Sequence, residues 1–94
     1  YPQEIEDAMI LHPAVQDVAV FGVPNSDFGE EVKAVIQLTH EFTDEEQLTD
    51  DLMEFAREKL AAYKVPRTID YVDELPRLPT GKLYKRILKE KYWP

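Results

Sequence analysis

Few side chains in this chain stand at a spacing that supports chemistry, and Lys82 is the foremost of them. It lies in Leu75-Pro76-Arg77-Leu78-Pro79-Thr80-Gly81-Lys82, where two prolines and a glycine within eight residues predict a loop and not regular structure. Lys85 and Arg86 follow about one helical turn later. A compact ammonium at such a loop tip can reach an anion outside its own domain, although a flexible, solvated surface lysine has the same spacing. Gly81-Lys82 is not a phosphate-binding P-loop, because no glycine precedes it at the required spacing and Leu83, not Ser or Thr, follows.

Other chemistries find less support. His12 and His40 stand far apart and belong to no ligand-spaced cluster, so no metal site is expected and both read as surface or edge histidines. With no cysteine, thiolate nucleophiles, thiolate metal sites and disulfides are excluded. There is no G-x-S-x-G elbow for a hydrolase. Asp44-Glu45-Glu46 reads as favourable charge at a helix N-terminus, and Glu30-Glu31 as a solvated strand start.

The formal net charge of −8 argues against a nucleic-acid partner. The charge is uneven: residues 1–58 hold 15 acidic and 2 basic side chains, net −13, and residues 59–94 hold 4 acidic and 9 basic, net +5. An anionic ligand is therefore expected at the last third. No apolar run is long enough for a membrane span, and the acidic opening is no signal peptide.

The elements that must position Lys82 are legible from periodicity. Pro2 at a first helical position, with Ile5, Ala8, Met9 and His12 on one face and Pro13 as a stop, predicts a helix over 2–12. Val15 to Val23 predicts a strand that ends at the turn Pro24-Asn25-Ser26-Asp27-Phe28-Gly29. Val32, Ala34, Ile36 and Leu38 alternate with more polar neighbours, the pattern of a strand with one buried face, which suggests an antiparallel pair. Thr43 and Glu46 match a capping box before a stripe of Leu48, Leu52, Phe55, Ala56 and Leu60. Thr68 to Val72 predicts a third strand, and Leu83, Ile87, Leu88 and Tyr92 a closing helix. The expected fold is a single α+β domain: a small sheet of about three strands with an antiparallel hairpin, and helices packed on it. By itself that fold is silent about function.

Pro79-Thr80-Gly81-Lys82-Leu83-Tyr84-Lys85-Arg86 resembles the motif that ends the adenylate-forming enzymes, the superfamily of acyl-CoA synthetases, peptide-synthetase adenylation domains and beetle luciferases. Tyr1-Pro2-Gln3-Glu4-Ile5-Glu6, His12-Pro13-Ala14-Val15, Ala19-Val20-Phe21-Gly22-Val23-Pro24, Gly29-Glu30, Tyr63-Lys64-Val65-Pro66 and Glu74-Leu75-Pro76 follow the family's order and spacing, so the resemblance covers essentially all 94 residues.

The resemblance implies an AMP-forming acid–thiol ligase of the acyl-CoA synthetase type, of which residues 1–94 are the mobile C-terminal lid. The large N-terminal adenylation domain and the hinge lie outside this chain. It also implies ATP with Mg, held mainly by that N-terminal domain, a carboxylic acid such as a fatty acid, and coenzyme A as co-substrate. Lys82 then takes the place of the catalytic adenylation lysine, with Thr80 and Gly81 in its ATP-binding loop. Tyr63, Lys64 and Arg67 fall where the family often contacts CoA, and a helix end packed by Tyr63 with solvated charges is the plainer alternative. The fragment alone is expected to be inactive, and the parent enzyme cytoplasmic. Two other readings stand beside this one: the same part of a carrier-protein-dependent adenylation domain, and a non-catalytic interaction module.

Overall fold

The structure, a computed structural model, describes residues 2–27 and 29–94. Tyr1 of the first matched segment and Phe28 of the expected turn lie outside the described residues. The order is α1 (Pro2–Met9), β1 (Val15–Asn25), β2 (Gly29–Leu38), α2 (Glu45–Lys59), a 3₁₀ turn (Ala62–Lys64), β3 (Thr68–Val72) and α3 (Lys85–Glu90). The strands form one sheet in the order β1-β2-β3. β1 and β2 are antiparallel, from Val15 opposite Leu38 to Asn25 opposite Gly29. β3 joins β2 in parallel, Lys33 opposite Thr68 through Gln37 opposite Val72, after the crossover through α2. The expected α+β sheet with its hairpin is thus present, and its mixed character is added by the structure.

Both faces of the sheet are covered. Val18, Val20, Ala34 and Ile36 point to one side, where Ile5 and Met9 of α1 and Leu48, Leu52 and Ala56 of α2 pack on them. Ala19, Phe21, Val23 and Val35 point to the other, against Leu75 and Leu88. This corrects the expectation that β2 buries one face only: Val35 is as buried as Ala34 and Ile36. A second layer, supplied by α3 and the segment before it, covers the face that alternation alone left to solvent.

Three further expectations are corrected. α1 ends at Met9, and residues 10–14 are turns in which the Leu11 and His12 N–H groups donate to the Ala8 and Met9 carbonyls. The N-cap of α2 is Asp44, whose Oδ1 accepts the Gln47 N–H at 3.0 Å, so Thr43 and Glu46 make no capping box. The closing helix covers only Lys85–Glu90, which leaves Leu83 outside it and Ile87 41% exposed. No helix among the described residues is long and apolar enough to cross a membrane.

Candidate functional site

The segment around Lys82 is a tight, hydrogen-bonded hairpin. Pro79 has its φ preset for the second position of a four-residue turn, and the Gly81 N–H closes that turn on the Leu78 carbonyl at 2.8 Å. Gly81 adopts φ +89°, a backbone conformation that side chains resist. The chain then returns antiparallel: Leu78 N–H donates to the Lys82 carbonyl at 2.8 Å, Arg77 bridges Leu83, and Tyr84 N–H donates to Pro76 C=O at 2.9 Å. The expected loop is therefore ordered by its own prolines and glycine. Thr80, Gly81 and Lys82 occupy its exposed end together.

Lys82 borders an open cleft of about 570 Å³, lined also by Gln3 and Asp7 of α1, Ile10 just past that helix, Asp17 of β1, Arg77 and Lys85. Among the described residues its ammonium makes no hydrogen bond or ion pair. Neighbouring cations differ. The Arg77 guanidinium grips Asp17 through Nε (3.0 Å) and Nη2 (2.7 and 2.8 Å), and its Nη1 donates to the Gly81 carbonyl at 2.6 Å. Lys85 Nζ pairs with Glu6 Oε2 at 2.7 Å and donates to the Val20 carbonyl at 2.9 Å. The same Glu6 oxygen accepts the Val20 N–H at 2.7 Å. β1 is an edge strand, so this pair satisfies an N–H and a C=O that no neighbouring strand reaches, and it ties α3 to α1.

Lys85 and Arg86, one helical turn beyond Lys82, are both paired within the domain. Lys85 is committed to the fold, and Arg86 pairs with Glu90 at 3.5 Å along its own helix. Sequence reasoning missed Glu6, Asp17 and Arg77. Glu6 carried a faint signal, because its helical phase lies beside Ile5 and three residues before Met9, on the side that is buried. Nothing in the spacing of Asp17 and Arg77, sixty residues apart, pairs them.

Tyr63, Lys64 and Arg67 lie elsewhere, and the Lys82 cleft includes none of them. Tyr63 stands in the 3₁₀ turn with 82% of its surface exposed. Lys64 Nζ holds the Glu4 carboxylate at 2.7 and 3.0 Å. The hydrogen bond between them raises the Lys64 pKa and lowers that of Glu4. Arg67 N–H donates to the Val32 carbonyl at 2.8 Å, which fixes the backbone where β3 begins. Of the histidines, His12 packs edge-on against Phe55 and accepts the Ala14 N–H, and His40 stacks on Phe42.

With the sheet and the Lys82 hairpin in place, the family is decided by a match of residues 4–82 to the family model described as "AMP-binding enzyme C-terminal domain". The chain belongs to that family. It is 50% identical over 92 residues to a 3-oxocholest-4-en-26-oate–CoA ligase of Rhodococcus rhodochrous, covering 97% of this chain and 16% of the ligase. Among solved structures, the ATP-bound RpMatB-BxBclM chimera superposes with a TM-score of 0.89 at 42% identity, over 98% of this chain and 18% of that one. The fatty acyl CoA synthetase of Mycobacterium tuberculosis superposes with a TM-score of 0.84 at 35% identity, over 100% of this chain and 18% of that one. The chain thus spans about a sixth of the curated ligase it matches, and its relatives of this kind are acyl-CoA ligases.

Proposed function

We propose that this AMP-binding C-terminal domain works as the mobile lid of an AMP-forming acyl-CoA synthetase, with Lys82 as its adenylation lysine. The carrying observation is the contrast among the cleft cations: Arg77 and Lys85 are neutralised within the domain, whereas Lys82 is exposed and uncommitted at the end of a stiff turn. In the first half-reaction a carboxylate oxygen attacks the α-phosphorus of ATP, forming the O–P bond of an acyl-adenylate and releasing pyrophosphate. Two anions must meet, and negative charge gathers on the phosphoryl oxygens. An ammonium delivered to that point, with water excluded, stabilises the arrangement. In the second half-reaction the CoA thiol attacks the acyl carbon and AMP leaves. The lysine has no part there, which is the purpose of carrying it on a lid. Exposed Ile10 (40%) beside the cleft and Leu78 (38%) on the turn suit a face that another domain covers.

Mg does not fit the donor set here. The cleft carboxylates are engaged, Asp17 by Arg77, Glu6 by Lys85 and Val20, and Asp7 by Gln3 Nε2 at 2.8 Å. The family resemblance implies that ATP with its Mg is held mainly by the N-terminal adenylation domain, which accords with that. For CoA, Tyr63 offers an exposed aromatic ring, with the Lys64 ammonium 5.5 Å from its centroid, for stacking on adenine, and Arg67, whose charge also acts on Glu31, a guanidinium for phosphate. Lys64 contributes only as a cation already shared with Glu4. Fatty acids are the proposed acid class, in keeping with the name of the mycobacterial relative. A cytoplasmic location of the parent enzyme belongs to the same proposal. Fractionation of cells expressing the parent enzyme tests it.

The test of Lys82 separates the half-reactions in the full-length parent enzyme. Lys82→Ala is expected to lower acid-dependent ATP–pyrophosphate exchange by about 10²- to 10³-fold, the usual loss when one preorganised donor is removed. Thioester formation from supplied acyl-adenylate is expected to persist. Survival of both half-reactions would make Lys82 an ordinary surface lysine and the domain an interaction module.

A further inference from the structure

The Lys82 ammonium makes no hydrogen bond or ion pair among the described residues, so the accuracy with which it is placed rests on the backbone beneath it. The three backbone hydrogen bonds of the 76–84 hairpin join that hairpin only to itself. Leu75 and Lys85 tie the chain to the sheet on either side of it, and within 76–84 the polar link to the sheet among the described residues is Arg77. We propose that Arg77 is a positioning residue for Lys82: its guanidinium clamps the turn carrying the lysine to Asp17 of β1. The inference rests on the reading of Lys82 given above.

Three observations carry it. Each nitrogen of the Arg77 fork is engaged, Nε and Nη2 on the Asp17 carboxylate and Nη1 on the Gly81 carbonyl, the oxygen of the peptide that enters Lys82. The guanidinium grips both from separate nitrogens held in one rigid plane, a fixed geometry that a lysine's single nitrogen with its three rotating N–H donors does not reproduce. Asp17 is a fixed anchor: its Oδ1 also accepts the Val18 N–H at 3.0 Å, and its side chain is 18% exposed. Asp17 further stands where the β1–β2 register shifts, two steps along β1 from Val15 to Asp17 matching one step from Leu38 to Gln37. A bulge of this kind re-aims the side chains beside it. From across the same bulge, Gln37 Oε1 accepts the Leu75 N–H at 3.0 Å, tying down the start of the segment. The irregularity in β1 thus serves the hairpin that bears the lysine.

Arg77 is 45% exposed in its side chain, and an ion pair so open to water contributes little to stability. A purely structural role therefore predicts a small effect on everything, and a positioning role a large effect on one half-reaction. The experiment uses the full-length parent enzyme with Arg77→Met, Arg77→Lys, Lys82→Ala and the Arg77→Met/Lys82→Ala double variant. Arg77→Met is expected to lower the kcat of pyrophosphate exchange by about 10- to 100-fold, the scale of a misplacement near 1 Å. The KM for ATP and thioester formation from supplied acyl-adenylate are expected to hold. Arg77→Lys should fall between, and in the Lys82→Ala background Arg77→Met should cost nothing more. Equal losses in both half-reactions, or a further loss in the Lys82→Ala background, overturn the proposal, because Arg77 then acts on the fold or on substrate directly. If Lys82→Ala abolishes exchange while Arg77→Met leaves it whole, the clamp alone is wrong. If Lys82→Ala leaves exchange intact, the reading of Lys82 falls and the clamp with it.

Discussion

Gly81 shows how a single residue type reaches into function. A Cβ placed there meets nothing within 4 Å, so the need for glycine is conformational, set by φ +89°. Gly81→Ala leaves every contact in place and strains only the backbone, at a cost of about 1 kcal/mol. Because the Gly81 carbonyl is also the Arg77 acceptor, relaxing that strain moves the peptide that enters Lys82. The expected result is a fall in thermal midpoint of a few degrees and a loss of pyrophosphate exchange disproportionate to it, with thioester formation retained. Calorimetry and the two half-reaction assays on one preparation check this, and a uniform loss would speak for destabilisation alone.

At the scale of elements, the short helix α3 is too small to persist by itself and is held at both ends. At its start Lys85 meets Glu6, and Leu88 is buried on the sheet. Just past its end the Tyr92 hydroxyl donates to Asp70 Oδ2 of β3 at 2.6 Å, while Lys33 of β2 pairs with the same oxygen at 3.1 Å. Burial pushes the Tyr92 pKa up to about 12, with the Asp70 hydrogen bond and charge adding to it. Burial also acts to raise Asp70, but the hydrogen bonds from Tyr92 and Lys33 outweigh it and hold the carboxyl below its ordinary value. A raised tyrosine pKa means that the fold favours the protonated form. Its contribution is therefore whole below pH 10, near the ordinary value, and lost as pH climbs through about 12. The depressed Asp70 acts in the opposite sense, present above the ordinary carboxylate range and lost as pH falls through the lower folded value. Urea unfolding of wild type and Tyr92→Phe between neutral pH and pH 11.5 should show curves that converge at the alkaline end. Parallel curves would mean that the clasp contributes nothing that titrates.

Across the whole molecule, the sheet is a wall with a different task on each side. α1 and α2 bury one face, and α3 with the Leu75 segment buries the other and carries the Lys82 hairpin beside it. The acidic half of the chain supplies most of the first layer and the basic third the second, so the sequence asymmetry of charge becomes an asymmetry of surface. Among the described residues nothing on this wall encloses a substrate: the Lys82 cleft is open and its carboxylates are occupied. The purified 94-residue chain is accordingly expected to show no acid-dependent pyrophosphate exchange under conditions where the full-length parent does. Exchange by the chain alone would place ATP and acid sites within it and undo the lid reading.

How much of this was readable beforehand depends on whether the determining forces are local. Hydrophobic period, Pro and Gly punctuation and the Gly81-Lys82 motif are local properties, so the strands, the long helix and the position of Lys82 were legible in the residues. Element ends were less so: Asp44 outcompeted Thr43 as cap, and α1 stopped three residues before Pro13's neighbour His12. Burial on both sides of β2 was hidden because it depends on what α3 brings from fifty residues away. The site followed the same division. The sequence by itself determined which lysine sits at the tip of a turn, since proline and glycine dictate that turn through their own backbones. Only the tertiary structure decided which cations remain uncommitted, because the partners of Lys85 and Arg77 are carboxylates on distant elements. Those partners, Glu6 and Asp17, come within reach only when the helices close on the sheet.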